Sequence, residues 1–448
     1  MRIARPPRTL LVAAIALLVA GGALAGALTY WRATPAVPAI ATERLQVAAS
    51  QRPANKTDQV IWDYQERVRR DPDDVRAYTV LGAAYIQRAR ETGDPTYYGK
   101  AEAVFAQALA RDPHNVEALI GKGTLALARH QFREALALGE QARALNPTIP
   151  RIYGLIGDAQ IELGMYDQAL ATVQTMVDMR PDLSSYSRVS YLRELHGDME
   201  GAIAAMQAAV NAGGPTVENT LWVRVQLGNL YFTIGDLANA ERQYRQALAQ
   251  LPDYVYAQAG LARVRAAQGR YDEAIAQYQQ VIARMPLPEF VIALGETQEA
   301  IGRTSEAAKH YELVRAMQQL FKANGVDTDL ELALFEADHG SDPQATLAMA
   351  RAAYDRRPGV KAADTLAWAL YKAGQYAEAR RYADEALRLG TQDALMLYHA
   401  GMIAQAQGDT GAAREDLARA LAINPYFSPL HAPIARQALA ALHTTASK

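Results

Sequence analysis

Apolar positions along this chain recur every three or four residues, the spacing of an amphipathic helix, and the pattern restarts at regularly placed glycines. Between Arg224 and Pro252, Leu227, Gly228 and Tyr231 share one face of a first helix. Gly235 interrupts it, because glycine accepts the left-handed backbone that ends a helix. Ala240, Tyr244 and Ala247 share one face of a second helix, and Pro252, lacking an N–H, marks its exit. The breaks are periodic. Gly164, Gly197, Gly235, Gly269, Gly302, Gly340, Gly374 and Gly408 are 33, 38, 34, 33, 38, 34 and 34 residues apart. Prolines run out of phase with them: Pro113, Pro147 and Pro181 are 34 apart, as are Pro252 and Pro286. Self-similarity at this period predicts an array of helical hairpins.

The same alternation of small and large residues returns along the chain, and it lets antiparallel helices approach closely. Leu81, Gly82 and Tyr85 precede Ala101, Phe105, Ala108 and Pro113. Gly123 precedes Ala135, Ala142 and Pro147; Ile156 and Gly157 precede Ala169 and Pro181. Leu261 leads to Ala274, Tyr278 and Pro286, and Leu294-Gly295 leads to Ala307 and Tyr311. Leu366 leads to Ala379 and Ala386, and Gly401 to Ala413, Leu417, Ala420 and Pro425. This pattern resembles the tetratricopeptide-repeat (TPR) family, whose 34-residue unit carries Leu-Gly-x-x-Tyr in one helix and Ala-x-x-x-Tyr/Phe-x-x-Ala-x-x-x-x-Pro in the next. The resemblance implies an all-α fold, a right-handed superhelical solenoid of about ten units over residues 57–443. The units fall at about 75–113, 116–147, 150–181, 184–212, 221–252, 255–286, 287–318, 328–358, 361–390 and 394–425. A half-unit at 58–70 precedes them, and a capping helix at about 428–443 covers the last apolar face.

The array is uneven. Extra residues fall near Thr92, near Gly213-Gly214-Pro215, and near Ala323, where a long helix precedes a degenerate unit with Thr346 near the usual Ala. These places are expected to change the curvature and to be the first places to look for a bound partner.

The N-terminus has another character. Arg2, Arg5 and Arg8 precede an apolar run from Leu10 to Trp31 that Arg32 closes. As a helix this run is about 30 Å long, enough to cross a bilayer, and its flanking charge predicts an extracytoplasmic C-terminal domain. The alternative is a cleaved signal peptide, with Ala23-Leu24-Ala25 as its cleavage site and a secreted or periplasmic product. Residues 33–56, with Pro35, Pro38 and Pro53, read as a spacer.

Composition narrows the function more by exclusion than by suggestion. A net charge of −2 gives no overall basic surface for nucleic acid, which is not an expected partner. The absence of cysteine removes disulfides, thiolate nucleophiles and zinc–thiolate sites. Only 8 of the 46 basic residues are Lys, which with the abundant Ala suggests a bacterial gene. Gly121-Lys122-Gly123-Thr124-Leu125-Ala126 fits a dinucleotide-binding pattern but lies inside a helix, without the strand and tight turn that chemistry requires. No His-x-x-x-His pair or Gly-x-Ser-x-Gly elbow is present, so no metal, cofactor or catalytic residue is expected. His196 and His339 each precede a helix-ending glycine, where an imidazolium suits the negative end of the helix dipole.

In the family it resembles, the first helix of each unit lines a concave groove. The residue after the Leu-Gly pair then falls at Ala83, Thr124, Asp158, Asn229, Arg263, Glu296 and Met402. Asn229 and Arg263 are candidates to hold a peptide backbone or carboxylate, with Trp222, Phe232 and Tyr256 as aromatic anchors. The Lys/Asn clamp by which some members hold chaperone tails is not reproduced. The expected function is that of a non-catalytic scaffold binding a protein or peptide at the bacterial cell envelope. The alternative is an accessory subunit of polysaccharide or protein export machinery.

Overall fold

The computed structural model describes residues 55–446 apart from Pro215, and these form helices only. The expected membrane or signal segment and nearly all of the spacer lie outside the described residues. No described helix is long and apolar enough to cross a membrane. A lone helix α1 (Lys56–Arg70) leads into ten hairpins. Units 1 to 3 are α2 (Val75–Thr92) with α3 (Thr96–Arg111), α4 (Val116–Ala128) with α5 (Phe132–Leu145), and α6 (Pro150–Glu162) with α7 (Tyr166–Met179). Units 4 to 6 are α8 (Leu183–Leu195) with α9 (Met199–Ala212), α10 (Val217–Thr233) with α11 (Leu237–Gln250), and α12 (Val255–Ala267) with α13 (Tyr271–Arg284). Units 7 and 8 are α14 (Pro288–Glu299) with α15 (Thr304–Ala323), and α16 (Asp329–His339) with α17 (Pro343–Arg356). Units 9 and 10 are α18 (Val360–Lys372) with α19 (Tyr376–Ala386), and α20 (Ala394–Ala406) with α21 (Thr410–Ile423). The cap is α22 (His431–Ala446), a few residues later than the sequence suggests.

The repeat residues do the work their spacing implies. Asp74, Asn115, Asp198, Asp236 and Asp409 accept a backbone N–H two or three residues into the following helix, which fixes where that helix starts. Tyr244 is fully buried with Gly228 and Gly260 beside its ring. A Cβ on either glycine would lie within 2.6 Å of a ring carbon, so one aromatic side chain fixes the spacing of α10 and α12. Gly82 and Gly121 stand in the same relation to Phe105, and Gly123 packs on Leu155. The dinucleotide-like glycines are therefore packing contacts inside α4.

Two turns depart from the ladder. Gly340 has an extended backbone (φ −85°) rather than the left-handed form of Gly164, Gly197, Gly235, Gly269, Gly302, Gly374 and Gly408. In unit 2 the left-handed place is held by His130 (φ 57°), whose Nδ1 lies 2.9 Å from the Asp327 carbonyl oxygen, a contact that offsets the unfavourable conformation.

That contact belongs to a series. The superhelix winds so tightly that the hairpin turns of units 1 to 5 touch the connectors five units further along. The unit 1 turn at Gly93 meets Met285 and Leu287. In unit 2, the Asp327 amide donates to the Arg129 carbonyl at 2.9 Å and Gln131 Nε2 donates to the Gly325 carbonyl at 3.2 Å. In unit 3, Tyr166 OH accepts from the Val360 amide at 2.8 Å, and Glu162 pairs with Arg357 at 2.7 Å. In unit 4, Thr391 Oγ1 donates to the Leu195 carbonyl at 2.6 Å; in unit 5, Asn424 Nδ2 donates to the Phe232 carbonyl at 2.8 Å. The hydrogen-bonded partners from units 2 to 5 are 192 to 198 residues apart in sequence. They form a continuous seam between two superhelical turns.

Candidate functional site

The first helices of units 5 to 8 face inward, and the seam at Asn424 brings the residues before and within α22 over them. Between these walls lies a cavity of about 600 Å³. Its floor includes Phe232, Arg263, Tyr271, Tyr278, Ile292, Ala293, Glu296, Phe335, Asp338 and His339. Its other wall is Tyr426, Phe427, Pro429, His431 and Arg436 from the C-terminal segment. The volume is that of a small-molecule or short-peptide pocket.

Arg263, Phe232 and Asn229 come together as the sequence suggests, but they bind one another. The Arg263 guanidinium lies 3.9 Å from the centre of the Phe232 ring, a cation–π contact. Its Nη2 donates to Asn229 Oδ1 at 3.1 Å, and that oxygen also accepts from Tyr244 OH at 2.7 Å. Asn229 is thus tied to the frame, while Arg263 and Phe232 line the cavity. Trp222 and Tyr256 sit elsewhere, around Arg90 of unit 1. Arg90 lies 5.6 Å from the Trp222 ring, forks onto Glu218 at 2.8 and 3.0 Å, and accepts on its carbonyl from Tyr256 OH at 3.4 Å. Burial, with Glu289 nearby, pushes the Tyr256 phenol up to about 12. These two aromatics bridge distant units of the array.

The carboxylates of the cavity are paired. Glu296 meets His339 Nε2 at 3.4 Å, and the His339 ring stacks on Tyr311 at 4.1 Å. Glu331 pairs with Arg357 at 3.0 Å. Asp338 accepts from Trp368 Nε1 at 2.8 Å and faces His431 Nε2 at 3.4 Å and Lys372 Nζ at 3.7 Å. Burial opposes ionisation of Asp338, yet the hydrogen bond and charge of His431 outweigh it and hold the carboxyl below its usual range. Among the described residues, Arg263 and Arg436 form no ion pair with a carboxylate, so the cavity combines aromatic surface with spare cationic donors. No group of three or more His, Asp or Glu among the described residues is arranged to hold a metal ion.

Of the other inward positions, Asp158 is clamped by Arg188 Nε and Nη2 at 2.8 and 2.6 Å. His196 Nδ1 lies 2.8 Å from the Leu192 carbonyl oxygen in the last turn of α8, the helix-end position expected of it. The sequence reading missed Tyr278, Asp338, His431 and the whole C-terminal wall. The spacing of Tyr278 marked it as core, and the wall reaches the cavity only through superhelical closure.

Tetratricopeptide-repeat family models match residues 98–150, 225–288, 261–318 and 365–426, and a second such model matches 126–194. Together they span more than half of the chain. The chain is 27% identical over 271 residues to cellulose synthase 1 operon protein C of Komagataeibacter xylinus, covering 58% of this chain and 18% of that protein. It therefore spans under a fifth of that relative's length. Among solved structures, the human IFIT1 dimer with PPP-AAAA has a TM-score of 0.47 at 17% identity, covering 70% of this chain and 73% of that one. A thermophilic TPR protein of Thermus thermophilus has a TM-score of 0.37 at 23% identity, covering 45% of this chain and 99% of that one. With its hairpin period, glycine–aromatic packing and matching family models, the chain belongs to the tetratricopeptide-repeat family.

Proposed function

We propose that this protein is a non-catalytic interaction scaffold of the bacterial cell envelope that takes a protein or peptide segment in its interior cavity. The observation that carries this reading is the cavity itself: about 600 Å³, walled by aromatic rings, with paired carboxylates and two arginines that form no ion pair with a carboxylate among the described residues. An extended segment offers the apolar side chains and backbone acceptors that such walls fit. The arginine-flanked apolar run at residues 10–31 supports an envelope location, either as a single-pass anchor with the array outside the cytoplasm or as a signal peptide removed on export.

A second reading is an accessory subunit of envelope polysaccharide or protein export machinery. It is favoured by the likeness to a protein named for a cellulose synthase operon. A pulldown from detergent-solubilised membranes, with the wild-type chain and with Ala293→Trp to fill the cavity, separates these readings. One dominant peptide-bearing partner, lost with Ala293→Trp at unchanged melting temperature, supports the cavity scaffold. Co-purified transferase or translocon subunits held equally by both proteins support the accessory role.

A further inference from the structure

A helical repeat ordinarily touches only its sequence neighbours, so its stability is a sum of local terms. The seam breaks that rule. We propose that it is a clasp that holds the array in a closed two-turn form and couples the opening of units 2 to 5 to that of units 8 to 10 and the C-terminal segment. Three features support this. The contacts recur at a nearly constant separation, 192 to 198 residues, in four successive units, so they follow the winding of the array. Three of them, Val360 to Tyr166, Thr391 to Leu195 and Asn424 to Phe232, are buried. One of them also satisfies a group that its helix leaves open. The Val360 amide is the first of α18, where no partner exists within its own helix, and Tyr166 OH supplies one from unit 3.

The clasp bears on the cavity because the two cavity walls lie on opposite sides of it. Phe232 is on the floor, and its carbonyl holds Asn424, next to Pro425 on the other wall. Parting the clasp therefore separates the walls, and an occupant touching both favours the closed form.

The test is hydrogen exchange on the full chain with two near-isosteric variants. Tyr166→Phe removes the acceptor for the Val360 amide from unit 3. Exchange should rise about tenfold in α18, residues 360–372, while units 5 and 6, residues 217–284, which separate the two sites along the chain, keep wild-type rates. Thr391→Val should have the reciprocal effect on α8, residues 183–195. An effect that skips the intervening units in both variants supports the clasp. An effect confined to each mutated unit and its chain neighbours, or one that declines smoothly through units 4 to 7, overturns it. If Tyr166→Phe loosens unit 3 as a whole, Thr391→Val decides on the same criterion.

Discussion

Replacing glycine by alanine inside a helix should have opposite effects at two places in this chain. Both Gly99 in α3 and Gly260 in α12 are helical. Alanine is the better helix former by about 1 kcal/mol. A Cβ at Gly99 meets nothing within 4 Å, so Gly99→Ala should gain that full amount. At Gly260 the new methyl would lie 2.6 Å from Tyr244 Cε1 and Cζ. The ring cannot slide away, because Gly228 is equally close on the neighbouring helix and the Tyr244 hydroxyl donates to Asn229 at 2.7 Å. Overpacking of this kind costs about 1–3 kcal/mol. After the propensity gain, Gly260→Ala should be destabilising by up to about 2 kcal/mol. Urea denaturation followed by circular dichroism reads both effects as midpoint shifts. Gly99→Ala should move the midpoint up and Gly260→Ala should move it down. If Gly260→Ala stabilises as much as Gly99→Ala, the claim that a glycine–tyrosine contact sets the helix spacing is wrong.

Other consequences follow from buried or paired groups. Glu241 is held at about 2, mainly by its hydrogen bond from Arg265 and against the opposing effect of burial, compared with an ordinary 4.5. A depressed carboxylate stabilises the fold fully above its unfolded value. This contribution should be lost as pH falls from about 4.5 towards 2, and Arg265→Gln should flatten the stability–pH curve in that window while lowering stability at pH 7. Trp368 is buried at 2% exposure and donates to Asp338, so Trp368→Ala should cost about 3–5 kcal/mol by thermal or chemical denaturation, among the largest single losses in the array. Asn424→Ala removes the donor to the Phe232 carbonyl, which keeps its turn hydrogen bond from the Gly235 amide. The loss should be about 1 kcal/mol, seen as faster proteolysis near residues 425–436.

The repeat was legible in the sequence because it is local. Leu-Gly-x-x-Tyr and the alternating alanines set contacts between adjacent helices, and Tyr244 packs between Gly228 and Gly260 as that spacing requires. The meeting of three of the five proposed groove residues was legible for the same reason: Asn229, Arg263 and Phe232 lie in adjacent units. The closure was not legible. It depends on a small rotation repeated through five units, which no single motif encodes, and the bridging of Trp222 and Tyr256 to Arg90 depends on it too. Two of the three irregular stretches gain an explanation from the closure. The extra residues near Thr92 include Gly93, which packs on Leu287, and those after Ala323 form the Gly325–Asp327 connector that meets Arg129 and Gln131. At both places the neighbour of the irregular segment is the chain's own second turn.

The most direct test of the account is the distance across the seam. The chain has no native cysteine, so Glu134→Cys with Ala323→Cys, exposed positions that the seam contacts do not use, gives a clean pair for spin labels, one in unit 2 and one at the end of unit 7. Pulsed dipolar spectroscopy of the full chain should show a single short, narrow distance distribution that Tyr166→Phe broadens. A long or broad distribution in the wild-type chain would mean an open superhelix, and would contradict both the seam and the cavity it encloses.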